Sequence, residues 1–212
     1  NSAARILDNM RTAKEDGADI AVIAPPFFRL NNTPKSLLEL YQEAIRSSPL
    51  PVGIYDRGNT GAVPIPDRVI KTIYNEPNVV LIKDSSTDPK RRLIALAARK
   101  KRPELCLLNG DEFNCVEYLD AGYNGLLLGG GIFNGYLARQ ILNAVNTGNL
   151  TEANRLQKRM NRIMYSVYGG KKYACWLSGE KHLLVQLGIF STWNNHLNYS
   201  LTRSCQNAIA RV

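Results

Sequence analysis

The amino-acid sequence places a lysine and a tyrosine, Lys83 and Tyr55, at the ends of two short apolar runs. Lys83 closes "NVVLIK", and Tyr55 closes "LPVGIY", 28 residues earlier. An amine held among apolar side chains favours its neutral form, which attacks carbonyl carbon. A neighbouring phenol can carry protons to and from the carbinolamine. The pair therefore indicates imine chemistry. The alternative interpretation is structural, with a solvated lysine at a strand end beside a tyrosine that only packs.

Five short apolar runs supply the elements that would position this pair: "DIAVIAPP", "LPVGIYD", "NVVLIKD", "ELCLLNG" and "NGLLLGGG". Each is closed by Pro, Gly, Asp or Asn, which is typical of parallel strands buried on both faces. We place the strand starts at Ile20, Pro51, Val79, Leu105 and Gly125. These steps of 31, 28, 26 and 20 residues match a repeating βα unit. Because neighbouring strands lie ~4.8 Å apart, Lys83 and Tyr55 at matching heights would be partners.

Helical segments separate the strands and follow the last one. The segment "TPKSLLELYQEAIRSS" begins with Thr33 as N-cap and Pro34 at the first helical position. A second helix, in "PIPDRVIKTIYNEP", begins at Pro66. Gly17 and Gly122 stand where two other helices are expected to end. After the fifth strand we predict four further helical segments.

The formal net charge of +9 raises the question of nucleic-acid binding. The one basic cluster, "PKRRLIALAARKKRP", has Leu93, Ile94, Leu96 and Ala97 at helical spacing. This pattern predicts an amphipathic helix with a solvated basic face, which could help to attract an anionic substrate. No zinc-finger spacing or aromatic sheet motif accompanies it, so we expect no nucleic-acid partner.

The cysteines and histidines do not indicate a metal site. The four cysteines and two histidines show no ligand spacing, and we expect reduced thiols in a cytoplasmic protein. Cys106, inside the apolar run "ELCLL", is predicted to be a buried free thiol. We expect no membrane segment because no apolar run approaches ~18 residues. The amino terminus also lacks the features of a signal peptide.

Two architectures accept five parallel strands in this order: an open doubly wound sheet and a (β/α)8 barrel. An open sheet would carry a Gly-rich phosphate turn after its first strand, where this chain has "IAPPFF". The later run "LGGGIFNG" lacks a nucleotide fingerprint. It could bind an anion through backbone amides or could simply allow close backbone approach, and both interpretations stay open.

The barrel is favoured, and the chain opens within an amphipathic helix. We therefore expect about three further βα units, or about 75 to 90 residues, before Asn1. The predicted division is a partial barrel over residues 1–134, carrying strands four to eight, and a helical region over residues 135–212 packed on it.

The same segments resemble those of the dihydrodipicolinate synthase / N-acetylneuraminate lyase family. "NVVLIKDSS" is similar to the Schiff-base strand of that family, and "LPVGIYDRGNTG" is similar to the strand that carries its catalytic tyrosine. The segments "ADIAVIAPPFF", "LLNGDEF" and "AGYNGLLLGGGIFN" resemble other family segments in the same order. This resemblance over almost the whole chain implies a (β/α)8 barrel with added C-terminal helices, usually a homotetramer.

The resemblance also implies roles for individual residues. Lys83 would form an imine with a 2-oxo acid, usually pyruvate, and Tyr55 would be the proton shuttle. Gly110 and Leu127 match positions whose backbone lies beside the bound substrate. No cofactor is implied, because the substrate is activated by its covalent imine with Lys83.

Three features depart from the family pattern. Phe28 stands where the synthases place a tyrosine that crosses a dimer interface, and a phenyl ring cannot carry a proton. Asn59 falls where the synthases use an arginine for the carboxylate of the second substrate. The family's Gly-Thr-Thr-Gly-Glu motif, which belongs on the second strand of the barrel, has no counterpart in these 212 residues.

We therefore predict a class I lyase or aldolase that acts on pyruvate or a related 2-oxo acid, of the sugar-acid aldolase or dehydratase type. A homo-oligomer, either tetramer or dimer, is expected. One alternative is a dihydrodipicolinate synthase. The other is a non-catalytic family member that acts as a binding or structural module, because an open five-strand sheet would expose an apolar wall.

Overall fold

The computed structural model describes residues 2–28 and 32–212. The chain divides into two compact units, Asn1–Leu128 and Gly129–Val212. The predicted boundary between residues 134 and 135 lies inside a helix, because the helix already begins at Gly131, in the Gly-rich run.

The first unit is a parallel α/β sheet covered by helices on one face. Its strands are β1 (Ala21–Ile23), β2 (Val52–Asp56), β3 (Val79–Asp84), β4 (Cys106–Asn109) and β5 (Gly125–Leu126). They lie in chain order and all pair in parallel. Each begins at the predicted residue or one residue later, which confirms the five apolar runs as strands.

Helices connect these strands: α1 (Ala3–Glu15), α2 (Pro34–Arg46), α3 (Asp67–Tyr74), α4 (Pro89–Lys101) and α5 (Cys115–Asp120), with 3₁₀ turns at Gly58–Thr60 and Glu112–Asn114. The predicted caps are confirmed. The Thr33 hydroxyl accepts a hydrogen bond from the Ser36 N–H at 3.1 Å, and Pro66 is the N-cap of α3. Gly17 and Gly122 follow α1 and α5 with φ of +90° and +108°, which suits glycine.

The two faces of the sheet differ in burial. Ile54 and Ile82 point toward the helices and are fully buried in the core of this unit, with partners from α2 and α3. On the opposite face Val22, on the edge strand β1, is 50% exposed. The face that points away from α1–α4 is therefore apolar but only partly covered within the described residues.

The second unit is helical, as predicted. It contains α6 (Gly131–Asn146), α7 (Leu150–Val167), α8 (Trp176–Gln186) and α9 (Arg203–Ile209). The longest helices, α6 and α7, pack against each other, and their buried faces include Leu137, Ile141, Met160 and Met164.

Two predictions on single elements need revision. The buried face of α4 consists of Arg91, Ala95 and Ala98, whereas Leu93 is 65% exposed and Ala97 is exposed as well. The prediction is confirmed for Ile94 and Leu96, which are partly buried and packed against the core, and wrong for Leu93 and Ala97. Arg91 is buried on this helix because it has a buried partner in the sheet. Free Cys106 is half-buried rather than buried, and burial still raises the pKa of its thiol.

In the part of the chain that the structure describes, no helix is long and apolar enough to cross a membrane.

Candidate active site

The carboxyl ends of β2 and β3 bring the predicted pair together. Tyr55 and Lys83 are register partners, and the Lys83 Nζ lies 4.2 Å from the centroid of the Tyr55 ring. Both side chains are half-buried, and within residues 2–28 and 32–212 neither the amine nor the phenol hydroxyl has a hydrogen-bond partner. Both polar groups are therefore available to a bound molecule.

The sheet face that carries the pair is otherwise apolar. Leu108 on β4 is the register partner of Lys83, and Leu81 lies two residues earlier on the same face of β3. A Cβ on Gly53 would approach Leu81 Cδ2 to 3.1 Å and Val22 Cγ2 to 3.0 Å, so these side chains close over the glycine. The lysine amine thus rises from an apolar surface, which is the surrounding that imine chemistry favours.

A buried carboxylate follows Tyr55 directly and points to the opposite face. Asp56 is 2% exposed. Its Oδ1 accepts a hydrogen bond from the Gly58 N–H at 2.8 Å, and its Oδ2 accepts one from the Tyr74 hydroxyl at 2.6 Å. The Arg91 Nη1 donates to the same Oδ2 at 3.1 Å. Burial and then the charge of Asp56 raise the pKa of Tyr74 well above its usual range, so this phenol keeps the proton that it donates.

A second buried carboxylate follows Lys83. Asp84 is fully buried, and its Oδ1 accepts hydrogen bonds from the Ser86 N–H at 2.9 Å and the Ser86 hydroxyl at 2.6 Å. Its Oδ2 accepts one from the Tyr123 hydroxyl at 2.7 Å. Burial raises the pKa of Asp84 more than these hydrogen bonds lower it.

A turn of the same kind follows a third strand, β4. Asn109 on β4 is the register partner of Asp84, which is in turn the partner of Asp56. The Asn109 Oδ1 accepts a hydrogen bond from the N–H of Asp111, two residues on, at 2.7 Å. Side-chain oxygens of Asp and Asn commonly close such turns. Three neighbouring strands therefore end at one height, and Tyr55 and Lys83 stand at that level.

Arg91 connects the end of β2 with the helices that follow it. Besides Asp56, its guanidinium contacts the Asp67 Oδ1 through Nε at 2.8 Å and donates to the carbonyl of Ile65. The loop between β2 and α3 is thereby held at both ends, one residue after Tyr55 and at the first residue of α3.

Gly110 and Leu127, the predicted substrate neighbours, lie at the ends of the next two strands. The Gly110 N–H donates to the Asp84 carbonyl at 2.7 Å, so Gly110 adjoins the strand end of Lys83. A Cβ at this position would lie only 1.9 Å from the Ser85 hydroxyl oxygen, so any larger residue here would displace that hydroxyl. The Leu127 N–H bonds to the Asn109 carbonyl at 2.8 Å, and its side chain is 44% exposed.

Asn59 and Phe28, the other two predicted substrate-binding residues, are both exposed. Asn59 is itself exposed and lies in the 3₁₀ turn that follows β2. Phe28 is 66% exposed and directly precedes a segment outside the described residues. Their predicted roles in substrate binding stay predictions.

The residues that sequence reasoning missed are the partners behind the pair. Asp56 and Asp84 were visible as polar residues closing apolar runs, in the repeated dipeptides "YD" and "KD". Tyr74 and Tyr123 had no such signal, because they reach the carboxylates from 18 and 39 residues away. Among the described residues, no group of three or more His, Cys, Asp or Glu side chains could hold a metal ion.

Fold and site together define a parallel α/β protein with a candidate carbonyl-activating lysine at the carboxyl ends of its strands. The chain belongs to the dihydrodipicolinate synthetase family, whose model matches residues 1–187. It is 31% identical over 129 residues to a 4-hydroxy-tetrahydrodipicolinate synthase of Xanthomonas campestris pv. campestris, covering 60% of this chain and 41% of that protein. It is 24% identical over 168 residues to the Anaeromyxobacter sp. protein of the same name, covering 78% and 56%.

Solved structures agree on the fold. The chain superimposes on dihydrodipicolinate synthase from Bacteroides thetaiotaomicron with a TM-score of 0.83 and 25% identity, covering 100% of this chain and 72% of that one. For N-acetylneuraminate lyase from Fusobacterium nucleatum the TM-score is 0.81 at 14% identity, covering 99% and 69%. These neighbours are TIM barrels, so the sheet is of that type. The chain spans about half the length of the relatives that it matches by sequence.

Proposed function

We propose that the protein is a class I lyase that forms an imine between Lys83 and pyruvate or a related 2-oxo acid. The observation that supports this most directly is the 4.2 Å contact between the Lys83 amine and the Tyr55 ring at the carboxyl ends of adjacent parallel strands. Active sites of TIM barrels lie at this end of the strands. Family membership supports the same reaction class.

The proposed chemistry begins at the C2 carbonyl of the 2-oxo acid. The neutral Lys83 amine bonds to C2, and Tyr55 donates its proton to the resulting C2 hydroxyl, which leaves as water; this yields the protonated imine and leaves Tyr55 as a phenolate. In a sugar-acid substrate the C3–C4 bond then breaks, and its electron pair moves into the enamine. The proton of the C4 hydroxyl passes to Tyr55, which later returns a proton to C3. Addition of water to the imine releases pyruvate and restores the lysine.

Within this reaction class we prefer an aldolase or dehydratase that acts on a 2-oxo-3-deoxy sugar acid. Phe28 cannot act as a proton carrier, and Asn59 offers no cation for the carboxylate of a second substrate. The five strands would correspond to strands four to eight of the barrel. The carboxylate-binding threonines of the family would then belong to the preceding strands.

A second candidate function is that of a dihydrodipicolinate synthase. The names of the relatives favour it. It requires another proton carrier at the position of Phe28 and another cation near Asn59. A condensation assay with pyruvate and the second substrate of the synthases, run beside cleavage and dehydration assays with 2-oxo-3-deoxy sugar acids, separates the two functions.

A homo-oligomer in the cytoplasm stays a prediction. One solved structure with a TM-score of 0.83 and 15% identity is described as a monomeric dihydrodipicolinate synthase variant. Sedimentation of the purified protein therefore tests the expected tetramer or dimer against a monomer.

The imine itself is tested by borohydride reduction in the presence of pyruvate, followed by mass mapping. We expect one pyruvate-derived adduct, on Lys83, and none in Lys83→Arg. Lys100→Arg, which changes an exposed lysine on α4, is the matched control and should keep the adduct. An unmodified Lys83 in the native protein would contradict the proposed function.

A further inference from the structure

Each member of the candidate pair is followed by a buried aspartate on the other face of the sheet. Asp56 follows Tyr55 and Asp84 follows Lys83, and the two aspartates are themselves register partners. They are 2% and 0% exposed. The proposed chemistry does not use them, because strand alternation points them away from the substrate.

Each aspartate is bonded to a buried tyrosine from a later element. Tyr74, the last residue of α3, donates to Asp56 at 2.6 Å. Tyr123, which precedes β5, donates to Asp84 at 2.7 Å. These are charge-assisted hydrogen bonds of nearly ideal length, which are roughly twice as strong as neutral ones. The two arrangements repeat one another although their tyrosines come from unrelated places in the chain.

The other oxygen of each carboxylate closes the turn that leaves the strand. Asp56 accepts from the Gly58 N–H at 2.8 Å, and Asp84 accepts from the Ser86 N–H at 2.9 Å. The two turns touch, because a Cβ on Gly58 would lie 2.8 Å from the Ser86 Cβ. The carboxylates are thus held from two sides, and the strand backbone beneath Tyr55 and Lys83 cannot shift without breaking these bonds.

Burying two carboxylates is not an efficient way to stabilise a sheet. Well-packed apolar side chains of similar volume are often as good or better, since desolvation opposes the gain from pairing. What the carboxylates add is geometric precision. A misplacement of about 1 Å between reacting groups can cost about 100-fold in rate, so precision at this place has a catalytic value.

We propose that Asp56 with Tyr74, and Asp84 with Tyr123, are two separate positioning devices, the first for proton transfer by Tyr55 and the second for imine formation by Lys83. This inference rests on the proposed function. The four residues are positioning residues rather than catalytic ones, because each acts through its neighbour on the strand.

The experiment compares two conservative variants, Tyr74→Phe and Tyr123→Phe, each of which removes one hydroxyl. Tyr41→Phe is the matched control. Tyr41 is 1% exposed, and its hydroxyl has no hydrogen-bond partner in the described residues. Imine formation is followed by borohydride trapping of pyruvate on Lys83. Proton transfer is followed by exchange of the pyruvate methyl protons with solvent deuterium, measured by NMR at saturating pyruvate.

We expect opposite signatures from the two variants. Tyr123→Phe should slow imine formation roughly tenfold and leave the exchange rate per imine within about twofold. Tyr74→Phe should leave trapping within about twofold and slow exchange per imine roughly tenfold. Tyr41→Phe should change neither. A general structural role would lower stability in urea without splitting the two steps.

The inference would be overturned if both variants slowed imine formation and proton exchange equally, or if neither variant slowed either step. The proposed function would still stand in that case, provided that the native protein forms the adduct on Lys83. Absence of that adduct from the native protein would instead overturn the proposed function, and the inference with it. Should a phenylalanine variant not fold, Asp84→Asn and the charge-balanced double variant Asp56→Asn/Arg91→Gln keep the side-chain shape and the oxygen toward Ser86 and Gly58. The same split is expected from them, and its absence would count against the inference.

Discussion

The ends of β2 and β3 have the same geometry but different electrostatics. At the end of β2, Asp56 pairs with the guanidinium of Arg91, whose side chain is only 3% exposed. At the end of β3, Asp84 is held by Ser86 and Tyr123, and no cation contacts it among the described residues. Two adjacent strand ends therefore hold a carboxylate at the same height, one by an ion pair and one by neutral donors.

The difference predicts opposite sensitivities. A buried ion pair is strongly destabilised by the loss of one partner, because the remaining charge is left uncompensated. A carboxylate among neutral donors tolerates neutralisation, and its burial makes its charged form unfavourable. Removal of the Arg91 cation at the end of β2 and removal of the Asp84 charge at the end of β3 should therefore affect stability differently.

The largest effect is expected from Arg91→Met. This change leaves Asp56 buried without its cation and should lower the free energy of unfolding by about 3–5 kcal/mol, measured in urea. Arg92→Met is the control on the same helix. Arg92 pairs with Glu117 at 2.7 Å, but the Glu117 side chain is 59% exposed, so the loss should stay below about 1 kcal/mol. Equal losses for both variants would contradict the role assigned to the buried pair.

A smaller effect is expected from Gly58→Ala, which strains the contact between the turn after β2 and the turn after β3. Gly58 has a φ of +52°, and its Cβ would lie 2.8 Å from that of Ser86. Backbone strain and overpacking together should cost about 2–4 kcal/mol in urea unfolding. Gly135→Ala, in the second turn of α6 with open space around its Cβ, should stabilise by about 0.5–1 kcal/mol. A neutral Gly58→Ala would show that the two turns can separate freely.

Charge removal at β3 is expected to change the pH dependence of stability. Burial raises the pKa of Asp84 above 3.8 in the folded state. The contribution of protonated Asp84 to the free energy of unfolding is therefore fully present below pH 3.8 and is lost as the pH rises through the folded-state pKa. Unfolding measured from pH 3 to 8 should therefore show the native protein losing stability relative to Asp84→Asn as the pH rises.

Glu76→Gln is the control of opposite sign for this measurement. Burial acts to raise the pKa of Glu76, but hydrogen bonds from Arg46 and Gln42 and the charge of Arg46 together lower it. Its stabilising contribution is therefore present above pH 4.5 and is lost as the pH falls. Parallel slopes for the two variants would contradict the contrast between neutral and cationic partners.

Much of the first unit could be predicted from local sequence because its causes are local. Strand starts follow from apolar runs, and the start of α2 follows from Thr33 and Pro34. The juxtaposition of Tyr55 and Lys83 followed from the length of one βα unit, since parallel strands in chain order place corresponding ends side by side.

The prediction failed where a side chain is paired across the fold. Helical periodicity assigned Arg91 to the solvated face of α4, because a pattern of apolar residues carries no information on a carboxylate 35 residues away. Once Asp56 supplies the opposite charge, the guanidinium can be buried, and the helix turns Leu93 outward instead. The hydrogen bonds from Tyr74 and Tyr123 escaped prediction for the same reason.

The smallest effect is expected from Tyr41→Phe, which serves as a reference for the stability that the hydroxyl groups of Tyr74 and Tyr123 contribute. Tyr41 is as buried as Tyr74 and Tyr123, but its hydroxyl lacks a hydrogen-bond partner in the described part of the chain. An unsatisfied buried hydroxyl is unfavourable, so its removal should leave the free energy of unfolding unchanged or raise it by up to about 1 kcal/mol. Tyr74→Phe should lose about 1.5–3 kcal/mol in the same urea titration, because its hydroxyl bonds to a charged group. If Tyr41→Phe lost as much, the loss would come from removing any buried hydroxyl and not from the hydrogen bond to the carboxylate.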